Sequence, residues 1–305
     1  MKTIISAKGL TKRFGKLTAV DGISFDIAEG ECFGFLGPNG AGKTSTVRMI
    51  HCVSPVTSGT LTVDGLPCSI DNRTIKKTTG VIPQEITLDI DLTVRENLMV
   101  FSRFFDIPRR EARKRVEELI KFVELEAKRD CKIDQLSTGM KRRLLIARAL
   151  INQPKLIIAD EPTTGLDPQA RHLIWQRLRQ LKSQGTTLIL TTQYMEEAQQ
   201  LCDRIVVMHQ GKILKEGTPR TMIEDEIGKD VVEIRVAAEE DEKLVGSLAG
   251  FACGHERVGD TLYFYCRDGR DLQKKLVELD LHNTVYRPAT LEDVFLKLTG
   301  RSLIE

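Results

Sequence analysis

The 305-residue chain exceeds the usual size of one hydrophobic core, so a large domain joined to a smaller one is expected. Its 45 basic and 43 acidic residues nearly cancel to a formal charge of +2, which argues against a dedicated nucleic-acid surface, and no nucleic-acid partner is expected. The longest apolar runs, at 156–159 and 187–190, fall far short of the roughly 20 residues that cross a bilayer, and residues 1–6 do not lead into an apolar export signal.

Residues 4–10 and 23–27 alternate apolar and polar side chains, with Phe14-Gly15-Lys16 as a turn between them, which predicts short antiparallel strands. Cys32-Phe33-Gly34-Phe35-Leu36 reads as a buried strand. It runs into Gly37-Pro38-Asn39-Gly40-Ala41-Gly42-Lys43-Thr44, which fits G-x-x-x-x-G-K-[ST] at every fixed position. In that pattern the glycines let backbone N–H groups point inward at a polyphosphate, Lys43 adds a mobile cation, and Thr44 offers a hydroxyl to Mg²⁺. From Ser45 to residue 50 a helix is predicted, its positive N-terminus facing the phosphates.

Strand patterns follow at 59–65 and 80–84, and then the composition changes. Residues 93–125 are charged and helix-periodic, predicting a helical insertion. Leu136-Ser137-Thr138-Gly139-Met140 precedes a helix over 141–151, for which Ser137 is a ready N-cap, and the helix stops before Pro154. Buried strands at 156–159 and 187–192 are separated by a helix over 168–183, which implies a mainly parallel sheet. A helix at 196–202 leads to a hairpin pattern, 204–208 and 212–215, around His209-Gln210-Gly211.

The pattern restarts near 227–230. Strands at 231–236, 251–257, 261–266 and 282–287 with helices at 239–248 and 271–279 give the order βαββαβ of a small ferredoxin-like α+β unit, followed by a last helix over 291–298. The expected domains are therefore 1–226, with a helical subdomain at about 86–150, and 227–305. Seven cysteines occur singly without a CxxC pair, which suits a reducing cytosol, and the five histidines (His51, His172, His209, His255, His282) lack metal-ligand spacing.

Asp160 ends an apolar strand and is followed by Glu161, an arrangement able to hold Mg²⁺ at the sheet edge and place a base beside it. Asp160 is expected to hold the metal, directly or through water, and Glu161 to orient and deprotonate the water that attacks the γ-phosphate.

With the phosphate loop, the segments 136–140, 156–161 and Gly165-Leu166-Asp167 resemble the ATP-binding-cassette (ABC) family of transporter ATPases over residues 3–220. The resemblance implies an α/β P-loop fold with a mainly parallel core sheet, an antiparallel β subdomain and a helical subdomain. It also implies hydrolysis of ATP with Mg²⁺. By the same resemblance Phe14 stacks on adenine, and Gln84 contacts Mg²⁺ and the attacking water and links the site to a transmembrane partner. Ser137 and Gly139 approach the γ-phosphate held by a second copy of the chain, and Asp167 crosses that interface. Thr138 and Met140 stand where the family more often has glycine and glutamine. Gln193 stands where the family normally has a histidine on the γ-phosphate. Its amide can donate a hydrogen bond but cannot become cationic, so binding is expected to survive while hydrolysis slows.

Tyr194-Met195-Glu196-Glu197-Ala198 and the tail from Leu291 to Gly300 resemble nodulation-type and daunorubicin-resistance-type exporters, whose ATPase works on a separate permease. The implied location is the inner face of the cell membrane, held there by the permease. A nucleotide-gated regulatory cassette, motivated by Gln193, is the alternative. A repair or translation cassette would carry a long inserted coiled coil or a second cassette in the chain, and neither is present.

Overall fold

The computed structural model describes residues 2–236, 241–279, 281 and 283–300, without the side chains of 241–243. Residues 239, 240 and 282, expected to open a helix and a strand, lie outside the described residues. Contacts divide the chain into two units, Met1–Lys215 and Glu216–Glu305.

The chain runs through β1 (Thr3–Phe14), β2 (Leu17–Ala28), β3 (Cys32–Leu36), α1 (Lys43–Ile50), β4 (Ser58–Val63), β5 (Leu66–Pro67), α2 (Arg73–Thr78) and β6 (Thr79–Ile82). It continues through α3 (Val94–Arg103), α4 (Arg109–Phe122), α5 (Thr138–Ala149), β7 (Leu156–Asp160), α6 (Pro168–Ser183), β8 (Thr187–Thr192), α7 (Met195–Leu201), β9 (Arg204–His209) and β10 (Lys212–Gly217). A six-stranded sheet of order β10-β9-β3-β8-β7-β6 forms the centre, and a four-stranded antiparallel sheet of order β2-β1-β4-β5 forms a second layer. β1 and β2 extend beyond the expected strands. Register shifts between Ala7 and Arg13 break the alternation by which the sequence signals a strand, without ending the pairing.

β3, β7 and β8 are buried along their whole length and pair in parallel, which is why they read as unbroken apolar runs. Their register sets Leu36 beside Thr192 and Asp160 beside Thr191. The phosphate loop after β3, the acidic pair ending β7 and the residues after β8 thus leave one edge of the sheet, where open α/β sheets place their ligands. Between the two sheets Phe25, Phe33 and Phe35 meet with centroids 5.1–5.9 Å apart and anchor a shared apolar core.

The predicted helical insertion is two helices. Thr93 and Glu96 form a capping box at the start of α3, and Asp106 with φ +56 and Pro108 separate it from α4. α3, α4 and α5 pack on one another, and α5 also packs on β6, so this helix joins the helical segment to the sheet.

The second unit contains α8 (Pro219–Glu226), β11 (Asp230–Arg235), α9 (Asp241–Leu248), β12 (Gly254–Val258), β13 (Thr261–Cys266), α10 (Arg270–Glu278), β14 (Thr284–Pro288) and α11 (Leu291–Thr299). Its antiparallel sheet has the order β12-β13-β11-β14, that of a ferredoxin-like unit. α8 had no counterpart among the predicted elements, although Thr218 caps it and Pro219 opens it. It packs on α11 within the second unit. The bidentate pair of Arg287 with buried Asp293, both bonds 2.8 Å, and a bond from Arg287 to Glu233 at 2.7 Å fix the start of α11 on the sheet.

Candidate functional site

A cleft of about 710 Å³ opens over the phosphate loop. Asn39, Gly40, Ala41, Gly42, Lys43, Thr44 and Ser45 line it together with Phe14, Gln84, Glu161 and Gln210. Gly37 and Pro38 supply the start of the loop through their carbonyls, which accept from Lys43 Nζ at 2.8 and 3.0 Å. The backbone of Gly37 passes so close to Met208 that a Cβ there would lie 2.3 Å from the Met208 carbonyl oxygen. Gly42 has φ +100, and a Cβ on it would lie 2.4 Å from Ala19 O. Gly42 is also the N-cap of α1 and supplies no side-chain bond, so the first amides of the helix are directed at the cleft without a cap. A loop wound this tightly with bare amides fits a polyphosphate.

Lys43 is 4% exposed, and its ammonium lies 3.4 Å from Glu161 Oε1. Burial lowers its pKa, and the charge of Glu161 opposes that shift. Glu161 is itself 4% exposed and holds φ +46, a strained conformation for a residue with a Cβ. Its N–H donates to Thr191 O at 3.0 Å and to Thr191 Oγ1 at 3.1 Å, which fixes the turn that aims its side chain into the cleft. Glu161 Oε2 accepts from Gln84 Nε2 at 3.0 Å and from Thr164 Oγ1 at 3.1 Å.

Asp160 Oδ1 lies 3.2 Å from Thr44 Oγ1 and is also bonded by the Thr191 hydroxyl. A hydroxyl, a carboxylate and the nearby Gln84 amide form an all-oxygen donor set, which suits a small hard cation such as Mg²⁺. Phe14 is 52% exposed at the rim with Lys12 Nζ 4.8 Å from its ring centroid, so its free face is open to a base.

Among the expected residues, Ser137, Gly139, Asp167 and Gln193 do not line this cleft. Ser137 caps α5 and accepts from Met140 N at 3.3 Å. Asp167 caps α6 and accepts from Ala170 N at 2.9 Å. Both are exposed, and Gly139 lies close to Ala170, where a Cβ would sit 3.2 Å from Ala170 Cβ. Gln193 follows β8, is half-buried and does not line the cleft.

Sequence reasoning missed three side chains that organise the site. Thr191 holds Asp160 and Glu161. Glu197, fully buried, accepts from Thr163 Oγ1 at 2.8 Å and Trp175 Nε1 at 3.0 Å, tying α7 to α6 and to the segment after Glu161, and burial raises its pKa. Arg142 holds the backbone of the Gln84 loop. The only local signal for any of these was a charged residue inside an otherwise apolar helix face.

The family model described as ABC transporter matches residues 20–164, and that described as the C-terminal domain of the nodulation factor export protein NodI matches residues 237–300. The chain is 47% identical over 299 residues to a Nod factor export ATP-binding protein I of Burkholderia orbicola strain AU 1054, covering 98% of both chains. It is 48% identical over 292 residues to the protein of the same name in Paraburkholderia xenovorans strain LB400, covering 96% of this chain and 95% of that one. Among solved structures, a dimeric post-hydrolysis state of the ATP-binding cassette MJ0796 with ADP and Pi superimposes with a TM-score of 0.64 at 30% identity, covering 70% of this chain and 98% of that one.

Proposed function

The chain belongs to the ABC transporter ATP-binding family and is the ATPase subunit of an exporter, and we propose that two copies close around two ATP molecules to drive a separate permease. The observation that carries this reading is that the site is half built. The loop and Glu161 line one cleft and Asp160 is bonded to Thr44 of that loop, while Ser137 and Asp167 are exposed and Gly139 is half-buried against Ala170, all three away from that cleft. A second copy supplies the missing wall, with the N-terminus of α5 and Ser137 directed at the γ-phosphate. The dimeric state of the MJ0796 cassette supports the arrangement.

Within the cleft the loop amides and Lys43 bind the phosphates, and Phe14 takes the adenine. When bound, Mg²⁺ supplies charge neutralisation on the phosphates, and Thr44, Asp160 and Gln84 are the residues that would hold it. Glu161 Oε2 is occupied by Gln84 and Thr164, so Oε1 is the atom that takes the proton of the attacking water once Lys43 has turned from it to phosphate. Gln193 donates an amide hydrogen bond to the γ-phosphate and leaves turnover slower than a histidine would.

The permease docks on a separate cleft of about 690 Å³, where Phe101, Phe104 and Phe105 stand beside Pro83 and Thr87 of the Gln84 loop. Phe104 is 73% exposed there, an apolar surface suited to a partner helix. Among the described residues no helix is long and apolar enough to cross a membrane. In this reading the docked permease holds the chain at the inner face. Nod factor export, the role in its relatives' names, is the export we assign to this chain.

Steady-state phosphate release tests the enzyme. The parent and Gln193→His should both exceed Glu161→Gln, with Gln193→His the faster. If both were as slow as Glu161→Gln, the ATPase reading of the purified chain would fail.

A further inference from the structure

Gln84 is bolted to the helix that carries the opposite wall of the other site. Arg142 lies within α5, less than one turn beyond Gly139, and is 3% exposed. Its Nη1 donates to Pro83 O at 2.7 Å and its Nη2 to Gln84 O at 2.8 Å, while Nε is buried without a hydrogen-bond partner. The planar fork therefore spends its hydrogen bonds on two consecutive carbonyls of one loop, a geometry an ammonium cannot reproduce. Gln84 then passes its side-chain amide to Glu161 at 3.0 Å. Further along the same helix Arg148 donates to Thr87 O and Thr87 Oγ1, both at 2.5 Å, so the loop is held at two points from one side.

We propose that Arg142 is a positioning residue that couples the two ATP sites, by fixing Gln84, which serves the chain's own ATP, to the helix whose N-terminus serves the partner's. The inference rests on the two-copy reading above. A buried guanidinium cannot leave its carbonyls without being stranded away from water, so α5 and the Gln84 loop move together. When Ser137 and Gly139 close on the partner's nucleotide, α5 moves with the Gln84 backbone and keeps the amide on Glu161 Oε2, where it already stands in the single chain. Occupancy of one site thereby holds the base of the other in place, so the coupling is read in turnover.

The test is phosphate release by the full chain as a function of ATP concentration, for the parent, Arg142→Met, Arg142→Lys, Gln84→Ala and the Arg142→Met/Gln84→Ala double variant. Arg142→Met should lower kcat about tenfold, because misplacing a reacting group costs rate steeply. It should also bring the Hill coefficient from near two toward one, while affinity for a fluorescent ATP analogue stays within about twofold, since the loop and Lys43 are untouched. Arg142→Lys keeps the charge and the buried stem, serves where the methionine variant does not fold, and should restore part of the rate. In the double variant the second substitution should add less than about twofold, because both act through one amide. An unchanged Hill coefficient in Arg142→Met, or a double variant showing the full product of the two losses, would overturn the proposal and leave Arg142 a structural residue. A parent with hyperbolic kinetics, together with a Glu161→Gln chain that stays monomeric in ATP, would instead overturn the two-copy reading and this inference with it.

Discussion

Acidification should destabilise the first unit through His51, and the size of the loss follows from its position. His51 ends α1, is half-buried beside the cleft that also holds Lys76, and has its pKa lowered to about 4, first by burial and then by the Lys76 charge. The unfolded chain takes up this proton near pH 6.5, whereas the fold refuses it until about pH 4. Stability is therefore fully present above pH 6.5 and is lost as pH falls through the window down to about 4, because there the unfolded state binds more protons. Linkage between those two values gives a loss of about 2 kcal/mol between pH 7 and pH 5, an upper bound because part of the ring meets solvent. Trp175 is the only tryptophan, is 1% exposed and lies in α6, so its fluorescence reports unfolding of this unit alone. Urea titrations at the two pH values should show His51→Gln losing about 2 kcal/mol less than the parent over that interval. Equal losses in the two proteins would refute the assignment of the proton to His51.

Glu161→Gln keeps the acceptor geometry of the cleft but removes the base, so size-exclusion chromatography should show an ATP-dependent dimer that persists while phosphate release stops. Gly37→Ala forces a methyl to within 2.3 Å of Met208 O, and should cost about 1–3 kcal/mol in the Trp175 transition together with most nucleotide binding, measured by equilibrium titration. Arg287→Met leaves buried Asp293 without its bidentate partner and should destabilise the C-terminal unit by about 3 kcal/mol, seen as an earlier calorimetric transition with the Trp175 transition unmoved. A chain ending at residue 226 should bind ATP with the parent's affinity, and a large loss in that truncation would count against placing the nucleotide site wholly within residues 1–226.

The phosphate loop was legible because its chemistry is local: Gly37, Gly42, Lys43 and Thr44 owe their roles to spacing along one strand, turn and helix. Asp160 and Glu161 were legible for the same reason, at the end of a strand whose burial on both faces leaves an unbroken apolar run. The length of β1 and β2 was hidden because bulges interrupt the alternation, and α8 because eight residues with one short apolar face carry little periodicity. Thr191, Glu197 and Arg142 look like ordinary polar residues of a strand and two helices until folding brings them to partners in other elements. Arg142 meets carbonyls 58 and 59 positions away, and Glu197 meets Thr163 and Trp175, 34 and 22 positions away. Sequence by itself pointed to the loop, the acidic pair and Gln84 that the fold brings together, since residue type and spacing mark each within a few positions. Only the tertiary structure decided which side chains hold Gln84 and Glu161 in place, because a buried polar group is satisfied by whatever the packing brings to it.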